Sequence, residues 1–475
     1  MRSNYRQMSL PEIFDGVTKA IEDRKPELVG LLEKHLDFDA LIPVSFDRAF
    51  YKQYGRGNIY HLDSLLKALL LQKLLGFTSD VQLLTVLKCS SELRNYCGFT
   101  KVPDPSQITR FKKKYCEHIQ EMFEHLVDVT DPICRRISEK KADYLIYDTT
   151  GIEPYVAENN PKFMNNKLRQ AKRMVKDKPD FNPYLGVYSL LPEVSETNVD
   201  AKQQYINGHY CYAMKAGILT NGLGIVRGIS FFDGNFREAH PEIVTKKTEN
   251  PDSDKEIADS KSLQPVLKDF FERHPNLSFR TFIGDAAFDK YDTYTTLWKD
   301  LGFTRVCVPM NTRNSGTGEN AMFDASGTPI CPVDKTPFIF AGMTGGKNRS
   351  QRFKWVCPKS VPMGTTRICH CDTPCTDSKY GRCVYTYPNK DFRLYPGIPR
   401  NTEHWDNLYR HRVVIERTIN LFKDAFTLDE RKTYNTKTLK ADLYLAGIVQ
   451  LAGVLLADAL NKPHLLKSVR KMIAA

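Results

Sequence analysis

Two short apolar runs that each stop at an aspartate constrain this chain more than any other feature. Tyr144-Leu145-Ile146-Tyr147 runs into Asp148, and Phe279-Arg280-Thr281-Phe282-Ile283-Gly284 runs into Asp285. Runs this short and this apolar predict buried strands rather than helices. Between and after them, 210–219 and 224–232 read as strands around Asn221-Gly222, a hairpin turn signal. Residues 265–274 and 290–301 read as helices and 303–308 as a further strand. Strand, hairpin, helix, strand, helix, strand is the order of a mixed α/β sheet with helices on its faces.

A third carboxylate sits in a different setting. Tyr409-Arg410-His411-Arg412-Val413-Val414-Ile415-Glu416, followed by Lys423, reads as an amphipathic helix. At roughly 100° per residue, Tyr409, Arg412, Glu416 and Lys423 share an arc of about 60°. Val414, Ile415, Leu421 and Phe422 take the other side, with Ile419 at its edge. The bland reading is a solvated face with Arg412 and Glu416 as an i,i+4 pair. The sharper one joins Glu416 to the two aspartates, because carboxylates at strand ends facing a helix commonly hold magnesium for phosphoryl transfer. Asp143, Glu153, Asp289 and Asp292 are rival carboxylates. Asp143 starts its strand, at the wrong end of the sheet, and Asp289 is placed to cap the next helix.

The spacing Tyr409-(2)-Arg412-(3)-Glu416-(6)-Lys423 resembles the Y-(2)-R-(3)-E-(6)-K signature of bacterial insertion-sequence transposases of the DDE class. Tyr147-Asp148-Thr149-Thr150 resembles the strand end around the first aspartate of that class, and Gly284-Asp285-Ala286-Ala287-Phe288-Asp289 its second-aspartate motif. Asp233 to His240 matches the segment that often precedes that motif only in part and is given no role. The resemblance implies a ribonuclease-H-like catalytic core. It implies Asp148, Asp285 and Glu416 as the catalytic, metal-holding triad for magnesium or manganese. It further implies cut-and-paste chemistry on double-stranded DNA, with transposon inverted-repeat ends and target DNA as partners and a homodimer in the synaptic complex. Tyr409, Arg412 and Lys423 would then contact the terminal phosphate. Trp298, after Asp285, is a candidate to stack on an unpaired or flipped base, against the commoner role of a tryptophan in a core.

The rest of the chain is read from composition and pattern. Its 475 residues suffice for two or three domains. A net charge of +12 and a pI near 9.0 point to a polyanionic partner, of which nucleic acid is the commonest. Residues 1–140 read as an all-helical, DNA-binding domain. A helix capped by Ser106 carries Arg110, Lys112, Lys113 and Lys114 after two apolar helices, with Arg110 and Lys113 as DNA contacts. A plain helical bundle with a basic face fits equally well. The polar run 159–182, with Lys162, Lys167, Arg169, Lys172, Arg173, Lys176 and Lys178, is a phosphate-backbone contact or a solvated face. Residues 141–310 would be the first part of the core, 311–400 a cysteine-rich insertion, and 401–475 the last part of the core with C-terminal helices.

Twelve cysteines and no apolar leader after Met1 fit a cytoplasmic, nucleoid-associated protein with reduced thiols. The apolar stretch 443–460 contains Gln450 and Asp458, is short for a bilayer span, and reads as a core or subunit-packing helix, so no membrane partner is expected. In the insertion, Cys357, Cys369, Cys371 and Cys375, with Cys331 and Cys383 nearby, read as a structural zinc site or as free thiols. The spacing lacks the paired C-x2-C of a strong zinc match. Two other functions fit the same residues: a metal-dependent nuclease without strand transfer, and a transposon-derived DNA-binding protein that has lost catalysis.

Overall fold

The computed structural model describes residues 27–51, 57–176, 182, 186–187, 190–206, 209–244, 257, 259–311, 322–346, 349–387, 393 and 396–467. Residues 1–26, where no apolar leader is expected, and Lys178 lie outside them. The chain divides into two compact units, Met1–Ile133 with Phe422–Ala475, and Cys134–Leu421. Within 401–475 the boundary between the two units falls at Phe422, from which the chain belongs with the N-terminal helices.

In the first unit every described element is helical. Leu62–Leu75 buries most of its residues, and Gly76 closes it in the left-handed region at φ 72°, as a residue without Cβ does readily. Asp80–Cys89 is capped by Ser79, whose side chain accepts from Gln82 N at 3.2 Å. The basic helix Pro105–Lys114 is capped by Asp104, not Ser106, with Pro105 in its first turn. The connection before it contains a further helix, Ser91–Tyr96. Thr436–Ala459 is, among the described residues, the one helix long and apolar enough to cross a membrane; 94% of its most apolar window is buried inside the protein.

Buried ion pairs lock these helices together. Asp442 meets Lys73 at 3.2 Å, Lys112 at 3.2 Å and Arg431 at 3.1 Å, and Asp80 meets Lys112 at 2.9 Å and Arg431 at 2.7 Å. Lys112 is therefore a core residue, while Arg110, Lys113 and Lys114 on the same helix are exposed.

The second unit is built on a mixed sheet. Its strands are β1 (Tyr144–Ile152), β2 (Lys202–Ile206), β3 (His209–Thr220), β4 (Val226–Phe231), β5 (Thr281–Ile283) and β6 (Arg305–Cys307). They lie in the order β2-β3-β1-β5-β6, with β4 also pairing β3. β1, β3 and β4 are antiparallel neighbours, and β5 and β6 run parallel to β1. Parallel strands are covered on both faces, which is why 144–147 and 281–283 are buried throughout.

The insertion is not merely loop. It holds a three-stranded sheet, β7 (Ile339–Gly346), β8 (Arg349–Val356) and β11 (Cys383–Thr386), and a hairpin of β9 (Ser360–Met363) and β10 (Thr366–Cys369). Cys331, Phe338, Phe353, Trp355 and Cys357 form its small core, and Trp298 packs against it. The chain's return is fastened by Arg393 to the buried Asp289 at 2.6 Å and by Arg400 to Val308 O at 3.0 Å and Tyr294 Oη at 2.7 Å. Asp289 thus anchors the insertion; Lys290 precedes the helix Tyr291–Thr295 as its cap residue.

Candidate active site

The parallel register of β1 and β5 sets the first two carboxylates side by side. Ile146 pairs with Ile283, and Asp148 and Asp285 each follow two residues later. Asp148 is not at a strand end: β1 continues to Ile152, but its pairing with β5 stops at Ile146. Asp285 lies just beyond β5 and starts a tight 3-10 turn, its side chain accepting from Ala287 N at 3.3 Å. Gly284 is required there, since a Cβ would come within 2.9 Å of both the Phe282 and Phe288 rings. Asp143 sits before β1 and pairs with Arg280 and Arg305, at the opposite end of the sheet.

The third carboxylate arrives on a helical stretch made of Glu403–Tyr409, a 3-10 turn Arg410–Arg412, Val413–Asn420, and a π turn Leu421–Ala425. Buried Ile415 and Ile419 face inward, Thr418 Oγ1 donates to Gly224 O at 3.0 Å, and the His411 ring meets Tyr144 at 5.2 Å. These contacts fix the stretch on the sheet.

The convergence is made by one side chain. Arg412 Nη2 lies 3.3 Å from Asp148 Oδ2 and 3.4 Å from Asp285 Oδ2, and Arg412 Nη1 donates to Glu416 Oε1. Three carboxylates from three separate elements thus share one guanidinium. Burial pushes the Asp148 carboxyl up to about 6; Arg412 pulls against this, while Asp259 and Asp285 add to it. Burial opposes the charge on Arg412, but Asp148 and Asp285 outweigh it and hold its pKa above the ordinary value. Arg412 Nε is buried with no hydrogen-bond partner among the described residues.

Sequence reasoning missed Asp259. Thr149 Oγ1 donates to it at 2.6 Å and Lys215 pairs with it, so a fourth carboxylate stands beside Asp148 with its own cation. Asp259 starts the helix Asp259–Arg273 and follows no apolar run, so nothing in the pattern marked it.

The remaining candidates are placed as follows. Tyr409 stacks on Trp405 at 4.8 Å, and burial, with Asp285 and Glu416 nearby, raises its pKa against the pull of Arg412. Lys423 falls in the π turn and in the first unit, where it pairs with Asp429 at 3.4 Å. The uniform 100° spacing from Glu416 to Lys423 therefore does not hold. Trp298 is half-buried and packs against the small core of the insertion. Arg110 is exposed, with Nη2 on Ser106 Oγ at 2.9 Å, and Lys113 is exposed.

Three carboxylates are hard oxygen donors, the set that suits magnesium or manganese. They carry more negative charge than Arg412 neutralises. As the side chains stand, no three His, Cys, Asp or Glu among the described residues are close enough to hold one ion, and the guanidinium lies among the three carboxylates. In the insertion, Cys357 feels Cys369, Cys331 and Cys371 as neighbours, and Cys375 feels Cys331; burial raises both thiols. No disulfide joins any of the twelve cysteines.

Residues 18–114 match a family model described as "Transposase domain (DUF772)". The match supports a transposase family and, with it, a transposition-related function on DNA. It covers roughly a fifth of the chain, all within the first unit, and none of the three carboxylates. No curated protein matches the chain.

Proposed function

We propose that this chain is a DDE-type DNA transposase that cleaves and joins element ends by metal-dependent phosphoryl transfer. The observation that carries this reading is the sharing of Arg412 by Asp148, Asp285 and Glu416. The strand order and directions of the sheet support a ribonuclease-H-like core, with the first two carboxylates at the carboxyl edge of its parallel pair. The transposase-domain match in the helical unit supports DNA as the substrate, both element ends and target. A homodimer at synapsis and a cytoplasmic, nucleoid-associated location belong to the same proposal.

Asp148, Asp285 and Glu416 would hold magnesium or manganese, which when bound supplies activation of water or a DNA 3′-hydroxyl and stabilisation of the leaving 3′-oxygen. Arg412, released from the carboxylates, would turn to the phosphate charge that grows in the transition state. Tyr409, beside Asp285 and Glu416, would position the same phosphate. Lys423, Arg110 and Lys113 would contact the DNA backbone. The cysteines of the insertion are proposed to hold a structural zinc. Elemental analysis of protein purified without added metal tests this, and zinc near zero with the insertion still protease-resistant rejects it.

The experiment for the main reading is incubation of the purified protein with its own flanking DNA ends and magnesium. Cleavage followed by joining is expected, and Asp148→Asn abolishes both while DNA binding persists. Cleavage without joining would leave a nuclease. Binding with neither would leave a DNA-binding protein that has lost catalysis.

A further inference from the structure

The polar run after β1 is a helix, Pro161–Met174, with five lysines and arginines and no acidic residue. Asn160 caps it, accepting from Lys162 N at 2.9 Å, with Pro161 in the first turn. Its apolar face is covered: Ala171 is buried with Val187 and Leu191, and Phe163, Met164, Leu168 and Leu190 pack against them. Its other face is exposed and of one kind. At 100° per residue, Lys162, Asn165, Asn166, Arg169, Gln170 and Arg173 fall within about 140° of arc, and all six are exposed.

A helix face that is only solvated usually mixes signs, with Glu–Lys pairs at i,i+4 that stabilise it. This one has none, and it exposes two asparagines that favour helices weakly. Arginine, asparagine and glutamine are instead the side chains whose paired donors and acceptors match base edges, arginine to guanine and asparagine or glutamine to adenine. The flanking lysine and arginine suit phosphate. A helix of this length, about 21 Å, fits the major groove of B-form DNA.

The base of the helix is fixed rather than tethered. Asn159 Nδ2 donates to Pro154 O at 3.0 Å and Tyr212 O at 2.8 Å, and its Oδ1 accepts from Tyr212 N at 2.7 Å. Buried Glu158 accepts from Ser195 Oγ at 2.9 Å and Glu196 N at 2.8 Å. The helix is thus mounted on β3 a few residues beyond the strand that carries Asp148.

We infer that the helix Pro161–Met174 reads duplex DNA sequence in the major groove, through Asn166 and Arg169, and so fixes which phosphate reaches the carboxylates. The inference rests on the DNA reading proposed above. The test is selection from a pool of duplexes with a randomised central segment, using the full chain. Wild-type protein enriches a motif. Arg169→Ala and Asn166→Ala each lose discrimination of roughly tenfold or more at one or two adjacent base pairs, while still binding DNA. Lys162→Ala weakens all duplexes alike and flattens the slope of log K against log salt by about 0.9. All three side chains are exposed, and unchanged thermal melting verifies the fold. If wild-type protein cleaves DNA but the variants select the same motif with the same salt slope, the inference falls and the transposase reading stands. If wild-type protein binds no duplex, both fall.

Discussion

The molecule contains two charge clusters of opposite design. In the first unit, Lys73, Lys112 and Arg431 surround Asp80 and Asp442, and Asp442 is fully buried. In the second, Arg412 stands alone among Asp148, Asp285 and Glu416, and the last two are 47% and 46% exposed. The first cluster sets three basic side chains against two carboxylates, and burial lowers the pKa of one of the three, Lys73, to about 7. The second is short of positive charge and open to solvent. Sealed ion pairs hold helices in place; a crowded, open set of carboxylates with one cation keeps uncompensated negative charge. The carboxyls register the difference. Burial pushes Asp80 up, yet Lys112 and Arg431 bring it down to about 2. Burial pushes Asp148 to about 6, and one guanidinium does not reverse it.

The comparison breaks most visibly in cleavage. Asp148→Asn should lower strand cleavage more than about a thousandfold, ~4 kcal/mol of transition-state stabilisation, whereas Asp442→Asn should leave the rate of the folded protein within a few fold. Single-turnover assays at saturating DNA check both.

Stability should respond with opposite signs. Asp442→Asn leaves Lys73, Lys112 and Arg431 with one carboxylate and should cost about 3–5 kcal/mol in denaturant melts. Asp148→Asn should stabilise the metal-free protein at pH 8, by at most about 3 kcal/mol. The sign follows from the folded carboxyl at about 6, above the ordinary 3.8. Between those values the folded state binds more protons than the unfolded one, so wild-type stability falls as pH rises through the window. The advantage of Asp148→Asn should therefore vanish near pH 4. A constant advantage across pH would mean that the Asp148 carboxyl is unperturbed.

Magnesium sharpens the contrast. At about a hundred times its dissociation constant it should stabilise wild-type protein by ~2.7 kcal/mol, with no such gain for Asp148→Asn. Equal gains would place the binding elsewhere. The smallest effects concern the helical stretch. At saturating DNA, Arg412→Ala should cost at least about tenfold in rate, ~1.4 kcal/mol. Loss of the Lys423–Asp429 pair should cost under about 1 kcal/mol of stability, and a larger rate defect in Lys423→Ala would give Lys423 the role its spacing suggested.

The sequence made the buried strands legible because a strand covered on both faces has no polar alternation to confuse it. It made Glu416 and Arg412 legible because their helical stretch has one apolar side. Asp148 was read as a strand end because Thr149 and Thr150 are polar, whereas β1 runs on to pair with β3. The insertion's strands were hidden by exposure: β7 is exposed or half-exposed along its whole length and carries three glycines. Lys112 looked like its neighbours in a basic run, and only the fold shows that it points into the core. Lys423 was misplaced because a π turn changes the angular step that the arithmetic assumed.

The wide spacing of the three carboxylates has a consequence during synthesis. Glu416 follows Asp285 by 131 residues, with the insertion between. At ribosomal speeds of 5–20 residues per second, roughly 7–26 s pass between them. Through that interval the nascent chain carries both aspartates but neither Glu416 nor Arg412. A chain released early, before residue 412, would hold two neighbouring carboxylates with no guanidinium between them. Any chemistry that needs all three carboxylates is thereby tied to synthesis past residue 416.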